Sequence, residues 1–463
     1  MKLKRIMLAA PKSGSGKTTI TCALLQSLKD RGQNVVSYKC GPDYIDPMFH
    51  RRVIDIPSKN LDTFFTDEET TRDLLISGRN EDDFVVMEGV MGLFDGLGGT
   101  REEGSSYHLA KVTDTPIVLV VDAKGMGRSV IPLIAGFLSY DKDKLIKGVI
   151  LNRMSKSYYD IIKPLIEEEL KITVAGYFPD YKKLGIHSLE SRHLGLVMPN
   201  EIADIKDQLR AVSEELQKTV SIDIIIDIAQ KATEISTNMG KEPLKPLAYT
   251  EKQKPVIAVA YDEAFCFYYD DNLRLLRAYG AELAFFSPVH DRNLPEGCSG
   301  ILLGGGYPEL YADKLSSNVE MMSRIRTAIQ SGMPVVAECG GFMYLHSKLI
   351  DQEQKEYSMV GAIDAVCHYA GKLVRFGYIN LGENKSNFLP ENEIIKAHEF
   401  HYYDSSLNGD ACKAVKPVTG RSYPCVISGT NYWMGFPHLY YPSNPKFAES
   451  FVRKACVFNL KSD

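Results

Sequence analysis

Residues 5–19 read RIMLAAPKSGSGKTT, an apolar run followed by a turn rich in glycine and serine. The apolar run predicts a buried strand, and residues 18–29 predict a helix after the turn. Glycines in such a turn let successive backbone N–H groups converge on phosphate oxygens, and the start of the helix adds partial positive charge. The stretch therefore predicts a phosphate-binding loop between the first strand and the first helix.

Two side chains of this loop have predicted roles in chemistry. We expect Lys17 to reach the β- and γ-phosphates of ATP and the Thr18 hydroxyl to ligate Mg²⁺. Pro11 stands where the usual pattern has its first glycine, so the loop has the form Lys-x-Gly-x-Gly-Lys-Thr. The predicted nucleotide-binding residues are Lys12, Gly14, Gly16, Lys17, Thr18, Thr19 and Asn152.

This form of the loop resembles that of the nucleotide-binding group containing partitioning ATPases and dethiobiotin synthetase. The resemblance implies that Lys12 contacts the γ-phosphate in a neighbouring subunit, with a solvated surface lysine as the alternative. It also implies that Asn152, at the end of a strand, reads the edge of the adenine, with a plain strand-end cap as the alternative. A homodimer is accordingly left open.

Four acidic residues follow the strands of this first half. Asp43 and Asp46 lie in the segment GPDYIDP, and Glu88 and Asp95 lie in EGVMGLFDG. Open α/β sheets build their sites at the carboxyl ends of strands, so we expect these carboxylates to bind Mg²⁺ and to manage a substrate carboxylate. One acid in a loop is usually a turn cap, but four near a phosphate site favour a metal site formed by Thr18, Asp46 and Glu88.

The composition is that of an ordinary globular chain, with 44% apolar and 24% charged residues in a total of 463. The net charge of −5 excludes a global cationic field that would attract nucleic acid or an anionic membrane. No apolar run approaches the roughly 18 residues of a membrane helix. The nine cysteines include no Cys-x-x-Cys pair, which favours a reduced, cytoplasmic compartment.

The pattern of the chain predicts an α/β fold with two doubly wound domains. Residues 1–235 alternate apolar strands with amphipathic helices, as expected for a P-loop NTPase-type parallel sheet covered on both faces. Residues 236–254 are polar, contain Pro243 and Pro246, and predict a linker. The alternation of strands and helices restarts in residues 255–463, which predict the second domain.

A cysteine on a sharp turn marks this second domain. The segment PVVAECGGFMYL, residues 334–345, reads as strand, turn and helix, with Cys339 on the turn. Small residues two positions before and after the cysteine, Ala337 and Gly341, permit a strained turn that exposes the side chain. We expect the start of the following helix to lower the thiol pKa and favour the nucleophilic thiolate.

Other groups complete the predicted thiol site. Backbone N–H groups of the glycines at 304–306 and of Gly340 are expected to stabilise a developing oxyanion. His438, in the segment GFPHLY, is the candidate base. The alternative for Cys339 is a buried structural thiol.

These residues resemble a class I glutamine amidotransferase domain, a flavodoxin-like α/β fold. The resemblance implies that Cys339 and His438 hydrolyse glutamine and release ammonia. Many members place a glutamate two residues after the histidine to hold the imidazole in one tautomer, and here that position is Tyr440. The segment AHEFHY around His398 and His401 lacks the helical spacing of a His-Glu-x-x-His metal site, so we interpret it as a hydrogen-bonded interface or a substrate pocket.

An ATP-binding loop and an ammonia-producing thiol on one chain can serve a single amidation reaction. A carboxylate does not react with ammonia, whereas the acyl phosphate that ATP makes from it carries a stable leaving group. The domain order and the segments GPDYIDP, EGVMGLFDG, SRHLGL (residues 191–196) and HEFH closely resemble the cobyrinic acid a,c-diamide synthase family. The resemblance implies glutamine- and ATP/Mg²⁺-dependent amidation of cobyrinic acid at its a- and c-acetate side chains in cobalamin biosynthesis. It assigns acyl-phosphate formation and substrate placement to Asp43, Asp46, Glu88 and Asp95.

Other functions stay open at this point. The same motifs suit the amidation of hydrogenobyrinic acid or of nickel-sirohydrochlorin. A partitioning-type ATPase switch would use the loop for dimerisation and leave Cys339 inert. A synthase with an inactive glutaminase domain would amidate with free ammonia alone.

Overall fold

The computed structural model describes residues 1–180, 202–236, 247 and 254–459. The chain forms two compact units, Met1–Gly240 and Lys241–Asp463. Their boundary falls inside the predicted linker, whose exact ends stay a prediction. The segment SRHLGL lies outside the described residues. Among the residues described, no helix combines the length and the apolar character needed to cross a membrane.

The first unit is built on a single seven-stranded sheet. Its strands are β1 (Lys4–Ala9), β2 (Asn34–Cys40), β3 (Ser58–Leu61), β4 (Asp83–Glu88), β5 (Ile117–Asp122), β6 (Ile146–Asn152) and β7 (Thr173–Phe178). Its helices are α1 (Lys17–Asp30), α2 (Ile45–Phe49), α3 (Glu68–Ile76), α4 (Ser106–Val112), α5 (Val130–Tyr140), α6 (Lys156–Leu170), α7 (Ile202–Thr219) and α8 (Ile222–Gln230). The strand order is β3-β2-β4-β1-β5-β6-β7 and all neighbours run parallel.

Both faces of this sheet are buried, as the continuous apolar strands predict. Successive residues of β1 point to opposite faces, so Ile6 and Leu8 join one apolar cluster and Met7 and Ala9 join the other. All four residues are fully buried. The predicted acidic residues lie at or after the carboxyl ends of these strands, where open α/β sheets place their sites.

The second unit contains an α/β core and a larger antiparallel part. The strands are β8 (Val256–Ala260), β9 (Phe265–Phe267), β10 (Glu282–Phe286), β11 (Gly300–Leu303), β12 (Gly305–Gly306), β13 (Val335–Glu338), β14 (His346–Ile350), β15 (Glu356–Ser358), β16 (Ile363–Tyr369), β17 (Arg375–Glu383), β18 (Ile394–His401), β19 (Tyr403–Ser405), β20 (Cys412–Val415), β21 (Ser422–Cys425), β22 (Ile427–Ser428), β23 (Tyr432–Gly435) and β24 (His438–Leu439). The helices are α9 (Asp270–Ala278), α10 (Ala312–Ser317), α11 (Val319–Gln330), α12 (Gly340–Leu345) and α13 (Lys446–Asn459).

The core sheet of the second unit has the predicted flavodoxin-like topology. Its order is β10-β8-β11-β13-β23-β22, and its first five strands run parallel. Numbered along the chain, these five follow the order 2-1-3-4-5, which is that of flavodoxin-like folds. The predicted strand and helix that flank Cys339 are β13 and α12.

The sequence analysis did not identify the strands between residues 346 and 428. Apart from β22, which joins the core sheet, they form with β24 a five-stranded antiparallel sheet, β21-β20-β17-β18-β24, and by themselves a mixed four-stranded sheet, β15-β14-β16-β19. Their pattern alternates: in β18, Ile395 and Ala397 are buried, whereas Lys396 and His398 are partly exposed. Such alternation indicates a sheet with one buried face. The antiparallel sheet includes β24 and therefore positions His438.

Candidate functional site

The phosphate-binding loop joins β1 to α1 and is supported from β6. Gly16 has φ +88°, a left-handed conformation that glycine adopts without steric cost. Asn152 Nδ2 donates to Ser15 O at 2.7 Å, and a Cβ on Gly16 would collide with the same amide. Arg153 Nη2 donates to Gly14 O at 3.0 Å. Asn152 thus holds the loop in place, and its recognition of adenine stays a prediction.

The charged and hydroxyl side chains of the loop differ in exposure. Lys17 is 8% exposed, and its Nζ donates to Met91 O at 2.7 Å. Burial, followed by the nearby Lys39, lowers the pKa of Lys17 to about 8. Thr19 is buried in the first turn of α1, whereas Lys12 is exposed. The roles of Lys12 and Thr19 toward a nucleotide stay predictions.

Three predicted side chains meet here: Thr18 at the start of α1, Asp46 on α2 and Glu88 at the end of β4. Thr18 Oγ1 donates to Glu88 Oε1 at 2.7 Å. Lys39 joins the two acids, because its Nζ lies 2.5 Å from Asp46 Oδ2 and 2.9 Å from Glu88 Oε1. Lys39, Asp46 and Glu88 are all buried. The structure therefore brings Thr18, Asp46 and Glu88 together, as the sequence predicts.

Lys39 is the residue of this cluster that the sequence analysis missed. It lies near the end of β2, whose sequence NVVSYKC is otherwise largely apolar. A lysine inside a buried strand requires an acidic partner, and this requirement was the available signal. Burial lowers the pKa of Lys39, but Asp46 and Glu88 outweigh burial and raise the pKa well above its usual value.

The carboxylates of the cluster differ in their affinity for protons. Burial, followed by the neighbouring Asp46, raises the pKa of Asp43 to about 7. Burial and Asp46 also raise the pKa of Glu88. Burial also favours a higher pKa for Asp46, but the charge of Lys39 outweighs burial and lowers the pKa of this carboxyl. Asp46 therefore holds its negative charge more strongly than its neighbours, whereas the pKa of Asp43 lies close to neutral pH.

Asp95 lies on a neighbouring loop. Its carboxylate accepts the Gly92 N–H at 2.9 Å. The loop contacts the start of the phosphate-binding turn, because the Leu93 N–H donates to Ala10 O at 2.8 Å. Asp95 itself is exposed. The structure thus places Asp95 beside the phosphate-binding loop, at the edge of the buried cluster.

The buried acids fit a magnesium ion that also binds a nucleotide. Within the described ranges, no group of three or more His, Cys, Asp and Glu side chains could hold a metal ion by itself. Mg²⁺ commonly takes one or two carboxylates and completes its shell with phosphate oxygens and water. Thr18, Asp46 and Glu88 suit that role, and the buried Glu88 Oε2 has no hydrogen-bond partner in the described part of the chain.

Cys339 occupies a strained turn in the second unit. It has φ +45° and ψ −103°, a conformation unfavourable for a residue with a Cβ. The Cys339 N–H donates to Gly435 O at 2.8 Å, and the Gly340 N–H donates to the sulfur. A Cβ on Gly341 would collide with Leu303 O, so a small residue is required after the thiol. The predicted strained turn is present, although the thiol is only 7% exposed.

The short strand β12 contacts both the thiol turn and His438. A Cβ on Gly305 would lie 3.1 Å from His438 Nδ1, and a Cβ on Gly340 would lie 3.0 Å from Gly306 N. The two residues of β12 thus contact the imidazole and the residue after Cys339. His438 is 4% exposed and stands opposite His398 in the pairing of β24 with β18.

Two expectations about this site are wrong. Burial, followed by the charge of Glu309, raises the pKa of the Cys339 thiol, and the opposing effect of the Gly340 N–H at the start of α12 is outweighed. The Gly304 N–H donates to Tyr268 Oη at 2.8 Å, so this group of the glycine run is not a donor for an oxyanion.

His438 is a neutral imidazole in this environment. Burial, followed by the nearby histidines 398 and 401, lowers the pKa of His438 to about 3. A neutral imidazole accepts a proton from a thiol. The pair therefore suits a mechanism in which the thiol is deprotonated during attack on the substrate.

The segment around His398 and His401 forms a hydrogen-bonded strand. His401 stacks on Phe436 with ring centroids 4.0 Å apart, and its Nδ1 lies 2.7 Å from Tyr403 O. The buried Glu399 accepts the Tyr423 hydroxyl and lies 3.6 Å from Arg375. These contacts form a hydrogen-bonded cluster on a strand, which lacks the helical His-Glu-x-x-His arrangement, and the role of the segment as an interface or a substrate pocket stays a prediction.

Comparison with known proteins divides the chain in the same way. Residues 6–194 match the CobQ/CobB/MinD/ParA nucleotide binding domain, and residues 256–438 match the CobB/CobQ-like glutamine amidotransferase domain. The cobyrinate a,c-diamide synthase of Thermoplasma volcanium is 40% identical over 100% of both chains. That of Caldanaerobacter subterraneus subsp. tengcongensis is 38% identical over 98% of this chain and 99% of its own. The chain belongs to the cobyrinate a,c-diamide synthase family.

A less similar member of the same family also matches this chain over nearly its full length. The synthase of Priestia megaterium is 34% identical over 98% of this chain and 97% of its own. The predicted family, the two α/β domains and the class of glutamine-dependent ligase are thereby confirmed. The buried acids of the first unit and the thiol turn of the second lie within the two matched domains.

Proposed function

We propose that this chain amidates the a- and c-acetate carboxylates of cobyrinic acid, using ATP as the energy source and glutamine as the nitrogen donor. The observation that carries the proposal is the presence of two sites on one chain: a phosphate-binding loop with buried carboxylates, and a strained cysteine turn that shares the neighbouring strand β12 with a buried histidine. Relatives that carry this activity in their names match the chain from end to end. The reaction belongs to cobalamin biosynthesis, and we place it in the cytoplasm.

The first unit activates the carboxylate. An oxygen of the substrate carboxylate attacks the γ-phosphorus of ATP, ADP leaves, and an acyl phosphate forms. Lys17 neutralises charge on the transferred phosphoryl group. A bound Mg²⁺, held by Thr18, Asp46 and Glu88, would supply further charge neutralisation on the phosphates. Asp43 and Asp95, at the edge of the same cluster, place the substrate.

The second unit supplies the nitrogen. Cys339 Sγ attacks the carboxamide carbon of glutamine while His438 accepts the thiol proton, and His438 then returns a proton to the departing ammonia. Water hydrolyses the resulting thioester to glutamate and the free thiol. Ammonia attacks the acyl phosphate carbon, and inorganic phosphate leaves, which completes one amidation.

The cysteine turn is the feature that argues against an ATPase switch. A switch requires the phosphate-binding loop alone, whereas the positive φ of Cys339 and the small neighbours around it have no purpose in a switch. Strained non-glycine residues cluster at active sites because the strain is maintained for function. Lys12 would have a different role in each of these two functions. It is exposed, which is compatible with a homodimer and with a monomer.

The test is a product-mass measurement. The purified chain is incubated with ATP, Mg²⁺ and glutamine, and with cobyrinic acid, hydrogenobyrinic acid or nickel-sirohydrochlorin in turn. We expect cobyrinic acid to change by two replacements of OH with NH₂, with one ADP and one glutamate formed per replacement. Diamidation of one of the other rings, with cobyrinic acid unchanged, would assign that ring instead. The absence of amidation of every ring, with ammonium as well as glutamine, would overturn the proposal.

A further inference from the structure

The position that carries the orienting glutamate in many class I amidotransferases is Tyr440 in this chain. Tyr440 is buried, its hydroxyl lies 3.1 Å from Asp271 Oδ2, and its ring packs edge-on against Tyr269. The side chain at this position is therefore bound to α9 and its flank, and it offers no carboxyl group to the imidazole. Another carboxyl group is needed if His438 is held in one tautomer.

Glu338 supplies a carboxyl group beside the imidazole. Its Oε2 lies 4.0 Å from His438 Nδ1, and both side chains are nearly fully buried, with 6% and 4% of their surface exposed. Glu338 ends β13 and immediately precedes Cys339, and it is paired with Gly435 across β23. One strand end therefore carries both the nucleophile and a carboxyl group that faces the base.

The Glu338 carboxyl group is fixed to the segment that contains His438. It accepts the N–H of Leu439, the residue after the histidine, and its Oε1 accepts the Tyr441 hydroxyl at 3.4 Å. Two groups from residues 439–441 thus hold the carboxyl group in register with the imidazole. A side chain with only a packing role would not require bonds to the segment that carries the base.

We propose that Glu338 is the positioning residue for His438, and that an oxygen of its carboxyl group accepts a hydrogen bond from Nδ1–H so that Nε2 is free to take the thiol proton. The inference rests on the glutaminase half of the proposed function. The distance of 4.0 Å is longer than a hydrogen bond, and we expect it to shorten when glutamine binds, as catalytic hydrogen bonds commonly do. The imidazolium formed after proton transfer then faces a carboxyl oxygen.

The protonation states of the pair are compatible with this role. Burial raises the pKa of Glu338 to about 8 and lowers that of His438 to about 3, so a neutral carboxyl group faces a neutral imidazole at pH 7. The carbonyl oxygen of a neutral carboxyl group still accepts an Nδ1–H bond. The titratable groups around the pair and the thiol include His398, His401, Glu309, Glu399, Tyr268, Tyr441 and Cys367.

The test uses the full chain and separates turnover from binding. Glutamine hydrolysis is measured as kcat and KM for wild type, Glu338→Gln and Glu338→Asp, together with the pH profile of Cys339 alkylation by iodoacetamide. Glu338→Gln can present its NH₂ group to Nδ1 and favours the wrong tautomer, so kcat should fall by roughly 10²-fold with little change in KM. The alkylation profile should shift, and Glu338→Asp should recover part of kcat.

Two further variants keep the test independent of folding. Tyr441→Phe removes one hydrogen bond to Glu338 without changing the catalytic pair, and we expect an intermediate loss of kcat. Glu353→Gln, an exposed position in the same unit, is the matched control and should behave as wild type. Unchanged kcat in Glu338→Gln, in a chain that hydrolyses glutamine, would overturn the inference alone. A wild-type chain that neither hydrolyses glutamine nor is alkylated at Cys339 would overturn the glutaminase half of the proposed function and the inference with it.

Discussion

At the residue scale, Lys39 illustrates how a buried charge depends on partners from several elements. Its ammonium group bridges Asp46 and Glu88, and Glu88 in turn accepts the Thr18 hydroxyl. A buried ion pair gains little over an apolar replacement, but removal of one partner leaves the others uncompensated in a medium of low polarity. Lys39 therefore neutralises the buried acids that we assign to the metal.

We expect Lys39→Met to lower the free energy of unfolding by about 3–5 kcal/mol, because two buried carboxyl groups lose their cation. Urea unfolding at neutral pH measures the change. The double variant Lys39→Met/Asp46→Asn should recover part of the loss, since one unpaired charge is removed. Lys156→Met, which breaks an exposed pair with Asp160, is the control and should show no measurable change. An unchanged unfolding curve for Lys39→Met would contradict this account.

At the element scale, the two-residue strand β12 defines the space around His438. It pairs with β9, so Gly305 lies opposite Phe267 and Gly306 opposite Phe265. This pairing holds the backbone of β12 against the imidazole, where a methyl group does not fit. The absence of a side chain at Gly305 thus leaves room for the base of the thiol site.

Gly305→Ala should displace the His438 ring, because the new Cβ would lie 3.1 Å from Nδ1 and closer still to the neighbouring ring carbon. A displacement of about 1 Å at a catalytic group can cost about 10²-fold in rate, so we expect a loss of this size in glutamine hydrolysis. Steady-state kinetics measure the effect. Gly382→Ala, whose new Cβ would make only ordinary contacts, should retain the activity of wild type. Equal activity of the two variants would refute the steric role of Gly305.

At the scale of the whole molecule, the two chemistries belong to two separately packed units. Each unit has its own sheets and its own pair of apolar clusters, which pack against opposite faces of its central sheet. The phosphate-binding loop lies in the first and the cysteine turn in the second. Among the described residues, the apolar clusters of one unit contain no residue of the other. A substitution in the site of one unit should therefore leave the fold of the other intact.

Lys17→Ala and Cys339→Ser should therefore separate the two reactions. Lys17→Ala should lower amidation at least about 10²-fold with either nitrogen source, because charge on the transferred phosphoryl group is no longer neutralised, and should leave glutamine hydrolysis in place. Cys339→Ser should abolish glutamine hydrolysis and retain amidation with ammonium. Product mass and glutamate release measure both reactions. If glutamine-dependent amidation persists in Cys339→Ser, the thiol is not the source of nitrogen.

The sequence by itself determined the features that depend on neighbouring residues. A glycine-rich turn after an apolar strand determined the phosphate-binding loop, and the small residues around Cys339 determined the strained turn, because both conformations are local. The alternating pattern of strands and helices likewise determined two α/β domains, with helix α1 predicted at 18–29 and observed at Lys17–Asp30.

Only the tertiary structure decided which distant groups meet. Lys39 between Asp46 and Glu88, Asn152 beneath the loop, and Glu338 facing His438 all join separate elements, and strand order and register set such contacts. Burial also decided the electrostatics: the start of a helix favours a thiolate, but removal of the sulfur from water outweighs it and raises the pKa of Cys339. Neither effect can be read from spacing along the chain, because solvation and long-range contact arise only when the elements pack.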